Sequence, residues 1–311
     1  MKKSVFARSF AILLISCIFC SILSGCGSSS KSSSSEPPVY SPLRVLVPEA
    51  PGSDTLGSSP LTLDVSNITQ GYFAAQSDSA DLVTSLQITA PTGVLYSYFI
   101  DPGENAVIPF TEGDGDYTVV GYQQIQGDQY AALYSETLTV ELENDFLPFL
   151  YPNQYVNFSP DSEASKLALS MVSENTSDID ALKQIYNYVV NNLSYDYDKA
   201  ETVETGYLPD VDETLSTKTG ICFDYAALTT AMLRSCDIPC KLQIGYTGDI
   251  KHAWIDVYIR SKGWVTNAVS FNGDSWSLMD PTFDSSADSD DSEAIQDYIG
   301  NADNYTVQFT R

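Results

Sequence analysis

Histidine and basic residues are scarce in this chain of 311 residues, which has one histidine and 15 lysines and arginines against 41 aspartates and glutamates. The formal net charge is −26 at pH 7. A surface of this sign repels phosphate backbones and anionic headgroups, which argues against a nucleic-acid partner. The scarcity of histidine also argues against a closed zinc site. Any acid-base chemistry by histidine must use His252.

A hydrophobic run long enough for a comfortable membrane span is also lacking. The mostly apolar run at residues 10–23 follows positive charges at positions 2, 3 and 8. This pattern predicts a secretory signal, with an uncleaved anchor and an ordinary cleaved signal as alternatives. The letters LSGC at 23–26 resemble the lipobox of bacterial lipoproteins, which implies a signal peptide at 1–25 and a lipid on Cys26. We therefore expect an extracytoplasmic protein, lipid-anchored to the bacterial cell membrane.

Cysteine is too scarce for a disulfide framework. Six are present, but those at positions 17 and 20 leave with the signal, and Cys26 begins a predicted serine-rich tether at 26–41. The remaining thiols are Cys222, Cys236 and Cys240. Three thiols do not build a framework even in an oxidising exterior. Cys236 and Cys240 either pair at a helix-to-strand corner or are buried as small hydrophobic side chains, and both alternatives leave Cys222 unpaired.

Residues 42–145 lack histidine, cysteine and lysine, and their pattern is that of strands. Turn signals such as PTG, DPG and GDG separate many of the β-rich runs. This predicts an all-β immunoglobulin-like β-sandwich. By fold analogy alone, its role is spacing or ligand display. The predicted strands are 61–65, 82–89, 94–100, 106–110, 116–122 and 130–142.

The pattern changes to α+β in residues 146–311. Apolar residues at helical spacing predict helices at 161–173 and 178–193, and a third helix that begins near Cys222. A polar loop precedes the third helix. Predicted strands follow at 241–246, 252–259, 263–271 and 276–280, so that helices are followed by an antiparallel sheet.

Cys222, His252 and Asp280 form the candidate catalytic set. A nucleophilic thiol needs a base, and the base needs a third group that orients it. At a helix start, unpaired N–H groups and the helix dipole stabilise a thiolate. In the strand at 252–259, alternation places His252, Trp254 and the residues at 256 and 258 on the polar face, where a base can meet the thiol.

The segments GICFDYAAL around Cys222, HAWIDVYI around His252 and MDPTF around Asp280 resemble, in order and spacing, the core motifs of the transglutaminase-like superfamily, a branch of the papain-like fold. The resemblance runs from about residue 178 to 284. It implies Cys222 as nucleophile, His252 as general base and then acid, and Asp280 as orienting carboxylate. It also implies that the helix of Cys222 packs against the sheet that carries His252 and Asp280.

Two departures from papain-like proteases concern the neighbouring residues. No glutamine shortly precedes Cys222, so Tyr195, Tyr197 or Trp254 are the alternative oxyanion donors or substrate contacts, with core packing as the competing role. The second departure is an insertion at 261–275. Its Trp264 and Phe271 either wall the cleft or cover the sheet.

Acyl transfer on a peptide, protein or cell-wall peptide is the predicted chemistry. An exterior site open to water favours hydrolysis over cross-linking, although the sequence leaves both open. We expect no cofactor: the acidic run at 283–297 suggests calcium but lacks the glycine and ligand spacing of an EF-hand. The alternative function is a non-catalytic surface lipoprotein that binds peptide or cell wall.

Overall fold

Two antiparallel β-sheets form the first part of the fold. The computed structural model describes residues 44–265, 269–271, 276–278 and 305–311. Each of the two sheets contains four strands, in the orders β1-β2-β3-β6 and β5-β4-β7-β8. Their bounds are β1 (Thr55–Ser58), β2 (Leu61–Asp64), β3 (Tyr72–Ser77), β4 (Thr84–Thr89), β5 (Leu95–Ile100), β6 (Asn105–Pro109), β7 (Gly115–Gln126) and β8 (Gln129–Val140).

The two sheets enclose one hydrophobic core. In β5 every second residue is buried, so that Tyr96, Tyr98 and Ile100 point inward. They share that core with Leu61 and Phe73 of the other sheet. A β-sheet region before the helices is thereby confirmed, whereas its assignment to the immunoglobulin type stays a prediction.

The sequence missed two strands in this region. β1 is mostly exposed, so it has no hydrophobic alternation to detect. β3 has the opposite character, because its first four residues are all buried and two of them are alanines. Period-2 alternation identifies strands with one buried face, and neither of these strands has that pattern.

Helices, a third four-stranded sheet that is antiparallel, and two two-stranded pairs, β10-β9 and β14-β15, form the remainder. The strand order of the third sheet is β13-β12-β11-β16. The longer helices and the strands β11 and β12 confirm the predicted pattern. The bounds are α1 (Glu163–Met171), α2 (Asp178–Asn192), β9 (Ser194–Tyr195), α3 (Tyr197–Thr202), α4 (Val211–Thr217), β10 (Thr219–Gly220), α5 (Cys222–Ser235), β11 (Cys240–Thr247), β12 (Ile250–Ile259), β13 (Gly263–Val265), β14 (Val269–Phe271), β15 (Trp276–Leu278) and β16 (Tyr305–Thr310).

Two short helices occupy the predicted polar loop. Their periodicity is too brief to recognise, but side-chain caps hold both of them. Asp196 accepts a hydrogen bond from the backbone N–H of Lys199 in α3, and Asp210 accepts from the N–H groups of Asp212 and Glu213 in α4. Such caps satisfy the unpaired donors of a helix start. β16 was also missed, and it forms the edge of the sheet beside β11.

Arg311 connects the two parts of the fold. Its guanidinium lies 4.1 Å from the ring of Tyr155, 4.6 Å from that of Tyr96 and 4.8 Å from that of Tyr98. It also donates hydrogen bonds to the hydroxyls of Tyr98 and Tyr155. Stacking on several rings stabilises a buried cation. The described residues accordingly belong to one compact unit.

Trp264, in the predicted insertion, covers the sheet. Its ring packs against Phe146, Phe149 and Tyr258, and the amine of Lys241 lies 4.2 Å from its centre. Tyr258 and Trp264 are paired across β12 and β13, near the end of β12 that is opposite to His252. Of the two alternatives for Trp264, packing on the sheet is therefore the one observed. The side chain of Phe271 lies outside the described residues.

Asp237 gives a pH-dependent contribution to stability. It follows α5 with a φ of 59°, its side chain is 15% exposed, and burial raises its pKa to about 6 despite Arg260 nearby. A raised folded-state pKa stabilises the fold below about pH 4, and this contribution is lost as the pH rises through 6. We expect Asp237→Asn to increase the free energy of unfolding by about 1–2 kcal/mol at pH 7.5 and to change it little at pH 4.

Urea unfolding of the wild type and the variant at both pH values measures this difference. Asn tolerates the left-handed backbone at residue 237. Asp237→Ala also removes the carboxylate but adds backbone strain, so we expect it to be less stable than Asp237→Asn. A stabilisation by Asp237→Asn that is equal at pH 4 and pH 7.5 would contradict a titrating carboxylate.

Several predictions fall on residues that are not described. The signal peptide at 1–25, the tether at 26–41, Asp280 and the acidic run at 283–297 all lie there. Within the described ranges, no helix is long and apolar enough to cross a membrane. No group of three or more His, Cys, Asp or Glu side chains that could hold a metal occurs in the same ranges.

Candidate active site

Cys222 is the first residue of α5. Ile221 before it has an extended backbone, with φ −99° and ψ 177°, so the helix begins at the thiol. Cys222 is partly exposed, whereas α5 is buried from Asp224 to Ser235. The backbone N–H groups of the first turn have no carbonyl partner within the helix. They can therefore stabilise a negative charge on the sulfur or on an oxygen bound next to it.

The backbone before the thiol is held by a short parallel pairing. Residues 219–220 of β10 pair with 194–195 of β9, and the N–H of Asp196 donates to the carbonyl of Gly220 at 2.9 Å. Gly220 is required there, because a Cβ atom would lie 2.6 Å from the Cβ of Asp224. Residues 194–196 are thereby fixed beside the start of α5.

His252 lies near the beginning of β12, opposite Gly245 of β11. Its side chain is 6% exposed. The Trp254 ring stacks nearly parallel to the imidazole, with 6.2 Å between centroids, and Tyr305 lies 6.4 Å away. Gly245 leaves room for this arrangement, since a Cβ there would lie 3.0 Å from the Trp254 ring and 2.0 Å from a β16 carbonyl.

Helix α5 and strand β12 share one hydrophobic core, which confirms that the helix of Cys222 packs against the sheet of His252. The alternation predicted for β12 is also confirmed. The face that carries His252 is nevertheless covered rather than open, because Trp254 and Asp256 are almost fully buried. The core-facing residues of β12 are Ala253, Ile255, Val257 and Ile259.

The candidate oxyanion donors have different environments. Tyr195 is partly buried, with its ring 6.4 Å from that of Tyr225, one turn after Cys222 on α5. Tyr197 is 63% exposed and makes an edge contact with Tyr195. Trp254 is buried, and its indole N–H has no hydrogen-bond partner in the part of the chain that the structure describes. The structure thus brings Tyr195 to the helix start and Trp254 to His252.

Asp224 is a site residue that the sequence analysis missed. It is fully buried in the first turn of α5 and accepts hydrogen bonds from the N–H of Ile221 at 2.7 Å, from Lys199 at 2.8 Å and from the hydroxyl of Tyr207. The available signal was an acidic residue at the third helical position, where a side chain reaches back to the N-cap backbone. The sequence pattern around its partners Lys199 and Tyr207 did not indicate that they contact Asp224.

The contacts of Asp224 shift the protonation of both partners. Burial alone favours the neutral amine, but hydrogen bonds to Asp224 and Tyr207 raise the pKa of Lys199. Burial and the neighbouring Asp224 raise the pKa of Tyr207 to about 12. Lys199 is therefore a cation and Tyr207 a neutral donor at neutral pH. The amine also lies 4.4 Å from the centre of the Tyr207 ring.

The other two cysteines are free thiols within the core. Burial raises the pKa of Cys236 and of Cys240 to about 12. The alternative of buried small side chains is the one observed, and the disulfide is absent. Because thiolates are the reactive form, Cys222 is the thiol expected to react in the folded protein.

Parts of this chain are similar to a known family and to known proteins. Residues 165–281 match the model of the transglutaminase-like superfamily. The UPF0252 protein MJ1282 of Methanocaldococcus jannaschii is 32% identical over 112 residues, which cover 34% of this chain and 30% of that protein. The uncharacterized protein YebA of Bacillus subtilis is 24% identical over 183 residues, which cover 51% of this chain and 25% of YebA. The matches thus span less than a third of either relative.

Two crystal structures are similar to the chain at a low level. A candidate cysteine protease from Cytophaga hutchinsonii has a TM-score of 0.37 and 17% identity, covering 83% of this chain and 84% of that one. A candidate protease from Parabacteroides distasonis has a TM-score of 0.29 and 10% identity, covering 67% and 64%. Residues 165–281 of this chain thus match the transglutaminase-like superfamily, and the packing of α5 against β12 agrees with that match.

Proposed function

We propose that this chain is a cell-surface cysteine enzyme that transfers acyl groups from peptide or amide substrates, with Cys222, His252 and Asp280 as its catalytic triad. One observation carries the proposal: a partly exposed thiol begins the helix that packs against the strand of the only histidine. Asp280 is included in the triad because of its sequence motif, MDPTF.

The proposed reaction has two steps. The Cys222 thiolate attacks the carbonyl carbon of a carboxamide or peptide bond and forms a C–S bond, while His252 holds the proton. The C–N bond then breaks, and His252 gives its proton to the departing amine. Water or an amine next attacks the thioester, releasing a carboxylic acid or a new amide and regenerating the thiol. Asp280 orients the imidazole, and neither step requires a metal or cofactor.

Donors for the oxyanion are the N–H groups at the start of α5, together with Tyr195, Tyr197 or Trp254. The buried indole N–H of Trp254 supports that residue most, because it has no partner among the described residues, and a buried donor in that state costs free energy unless a ligand uses it. Tyr195 is supported by its place beside the first turns of α5. The exposure of Tyr197 favours a substrate contact instead.

Hydrolysis is the preferred outcome, because a site at the cell exterior is open to water. The experiment incubates residues 40–311 with a synthetic library of end-capped peptides, with and without monodansylcadaverine, and analyses the products by mass spectrometry. Cleaved or deamidated peptides support a hydrolase, whereas amine adducts support cross-linking. Neither product above the level of a Cys222→Ala control would contradict an acyl-transfer enzyme.

The proposed location depends on Cys26. We expect the full chain, expressed in a bacterial host, to incorporate alkyne-labelled palmitate and to fractionate with membranes. Cys26→Ala should abolish labelling, because the lipid is attached to that thiol. Cys20→Ala, within the proposed signal, is the matched control and should keep the label. An unmodified Cys26 in the mature wild-type protein, detected by mass spectrometry, would contradict the lipid anchor.

A binding protein is the second candidate function. The observation that favours it is a groove of about 250 Å³ on the outer face of the sheet β5-β4-β7-β8. Its lining carries no charged side chain and includes Phe99, Tyr122 and Tyr130, with Phe99 50% exposed. An immunoglobulin-like module that displays this groove could bind peptide or cell wall. A Cys222→Ala variant that retains every phenotype of the wild type would favour this function.

A further inference from the structure

Asp224 places a buried negative charge in the same helix turn as Cys222. The two residues occupy the first and third positions of α5. Because the Asp224 side chain is fully buried, water and salt screen its field less than that of a surface carboxylate. A nearby negative charge disfavours a second one, so an uncompensated Asp224 would oppose the thiolate.

Lys199 supplies the compensating charge from a different element. Its amine lies 2.8 Å from Asp224 and 2.7 Å from the hydroxyl of Tyr207. The backbone of Lys199 is itself fixed, because its N–H donates to the capping side chain of Asp196 at 2.9 Å. Tyr207 completes the cluster by donating to Asp224. The cation is therefore held by α3 and by the tyrosine after it.

We propose that Lys199 is a positioning residue for the thiol: it neutralises Asp224, so that the start of α5 stabilises the Cys222 thiolate, and the same ion pair holds the segment 194–207 beside the site. This inference rests on the proposed function, since it assumes that Cys222 reacts as a thiolate. If Asp224 were only a helix cap, its removal would lower stability without changing how the reaction of Cys222 depends on pH.

Other ionisable groups near this helix start are accounted for by their contacts. Lys199 and Tyr207 bind Asp224 directly, and Asp196 caps α3. Tyr195 belongs to β9, which pairs with β10 immediately before the helix. Helix α4 also packs on α5, but its Asp212 accepts hydrogen bonds from the N–H groups at the start of α1. The pair of Lys199 and Asp224 is thus the ion pair observed at the first turn of α5.

The test measures the second-order rate of iodoacetamide alkylation at Cys222 as a function of pH, on residues 40–311. Asp224→Asn removes the negative charge and keeps Lys199, so its profile should move to lower pH by about one unit. Lys199→Met does the opposite and should move the profile to higher pH by a similar amount. The double variant is again neutral and should lie near the wild type.

Tyr207→Phe is the matched control, because it removes a hydrogen bond to Asp224 but no charge. Its profile should stay close to that of the wild type. Lys199→Met leaves a buried carboxylate without a counter-charge, so circular dichroism must show that it folds. If Lys199→Met does not fold, the inference is tested by comparing Asp224→Asn with the double variant. The inference then requires the double variant to react at the higher pH.

Coincident profiles for Asp224→Asn and the double variant would overturn the inference. So would shifts of the same sign in the two single variants. Failure of the proposed function gives a different result, namely a wild-type profile that His252→Ala leaves unchanged. The inference fails by itself when His252→Ala changes the profile but the variants at Lys199 and Asp224 do not.

Discussion

Replacing Cys222 by alanine is expected to lower kcat/KM for a peptide or amide substrate by a factor of about 10⁴ or more. Alanine at this position has no nucleophile, so the thioester cannot form and only binding and oxyanion contacts remain. The residue is partly exposed at the helix start, and its removal should leave the core intact. The measurement is the rate of product formation from the most reactive peptide of the library.

Cys236→Ala is the matched control for this loss. Cys236 is a buried thiol of the same helix region, and burial raises its pKa to about 12, which makes it unreactive at neutral pH. The control should keep its activity and lose only a small amount of stability from the missing sulfur atom. Equal activity of Cys222→Ala and the wild type would contradict the assignment of Cys222 as nucleophile.

Arg234→Met is expected to lower the free energy of unfolding by about 4 kcal/mol. Arg234 is 1% exposed, and its guanidinium donates to the carbonyl oxygens of Cys240, Tyr151 and Arg311 at 2.8–3.0 Å. Burial lowers its pKa to about 10, so it remains a cation at neutral pH. Methionine fills much of the volume but donates no hydrogen bond, so each of the three carbonyls loses the guanidinium, and the Arg311 carbonyl keeps only the Leu242 N–H.

Urea unfolding at pH 7 measures this loss. Arg260→Met is the matched control, because the Arg260 side chain is 28% exposed and its ion pairs with Asp178 and Asp237 are long, at 3.7 and 3.6 Å. Partly exposed pairs of this kind contribute little, so the control should lose about 1 kcal/mol or less. A loss for Arg234→Met as small as that of the control would show that the carbonyls are satisfied in another way.

Local patterns predicted the elements that position the site. The start of α5 at Cys222 followed from the helical spacing of apolar residues after the thiol, and β12 followed from strict alternation. Both patterns reflect which side chains enter the core. The match of residues 165–281 to the transglutaminase-like superfamily agrees with the resemblance carried by the three motifs.

Contacts between distant residues could not be predicted from those patterns. Lys199 and Asp224 are 25 residues apart, and Arg311 reaches Tyr98 across 213 residues. Such pairs leave no local periodicity, because each partner alone is an ordinary charged residue. The same reason explains why α3, held by its cap and by the Asp224 cluster, was assigned to a polar loop.

The central claim is that Cys222 is activated by His252, and the pH dependence of iodoacetamide alkylation tests it most directly. The measurement compares residues 40–311 of the wild type with His252→Ala, and locates the label by mass spectrometry. We predict that Cys222 alone reacts in the folded protein, that it does so well below pH 7, and that His252→Ala removes this reactivity. Reaction only near the ordinary thiol pKa of about 8.5, unchanged in His252→Ala, would contradict the account.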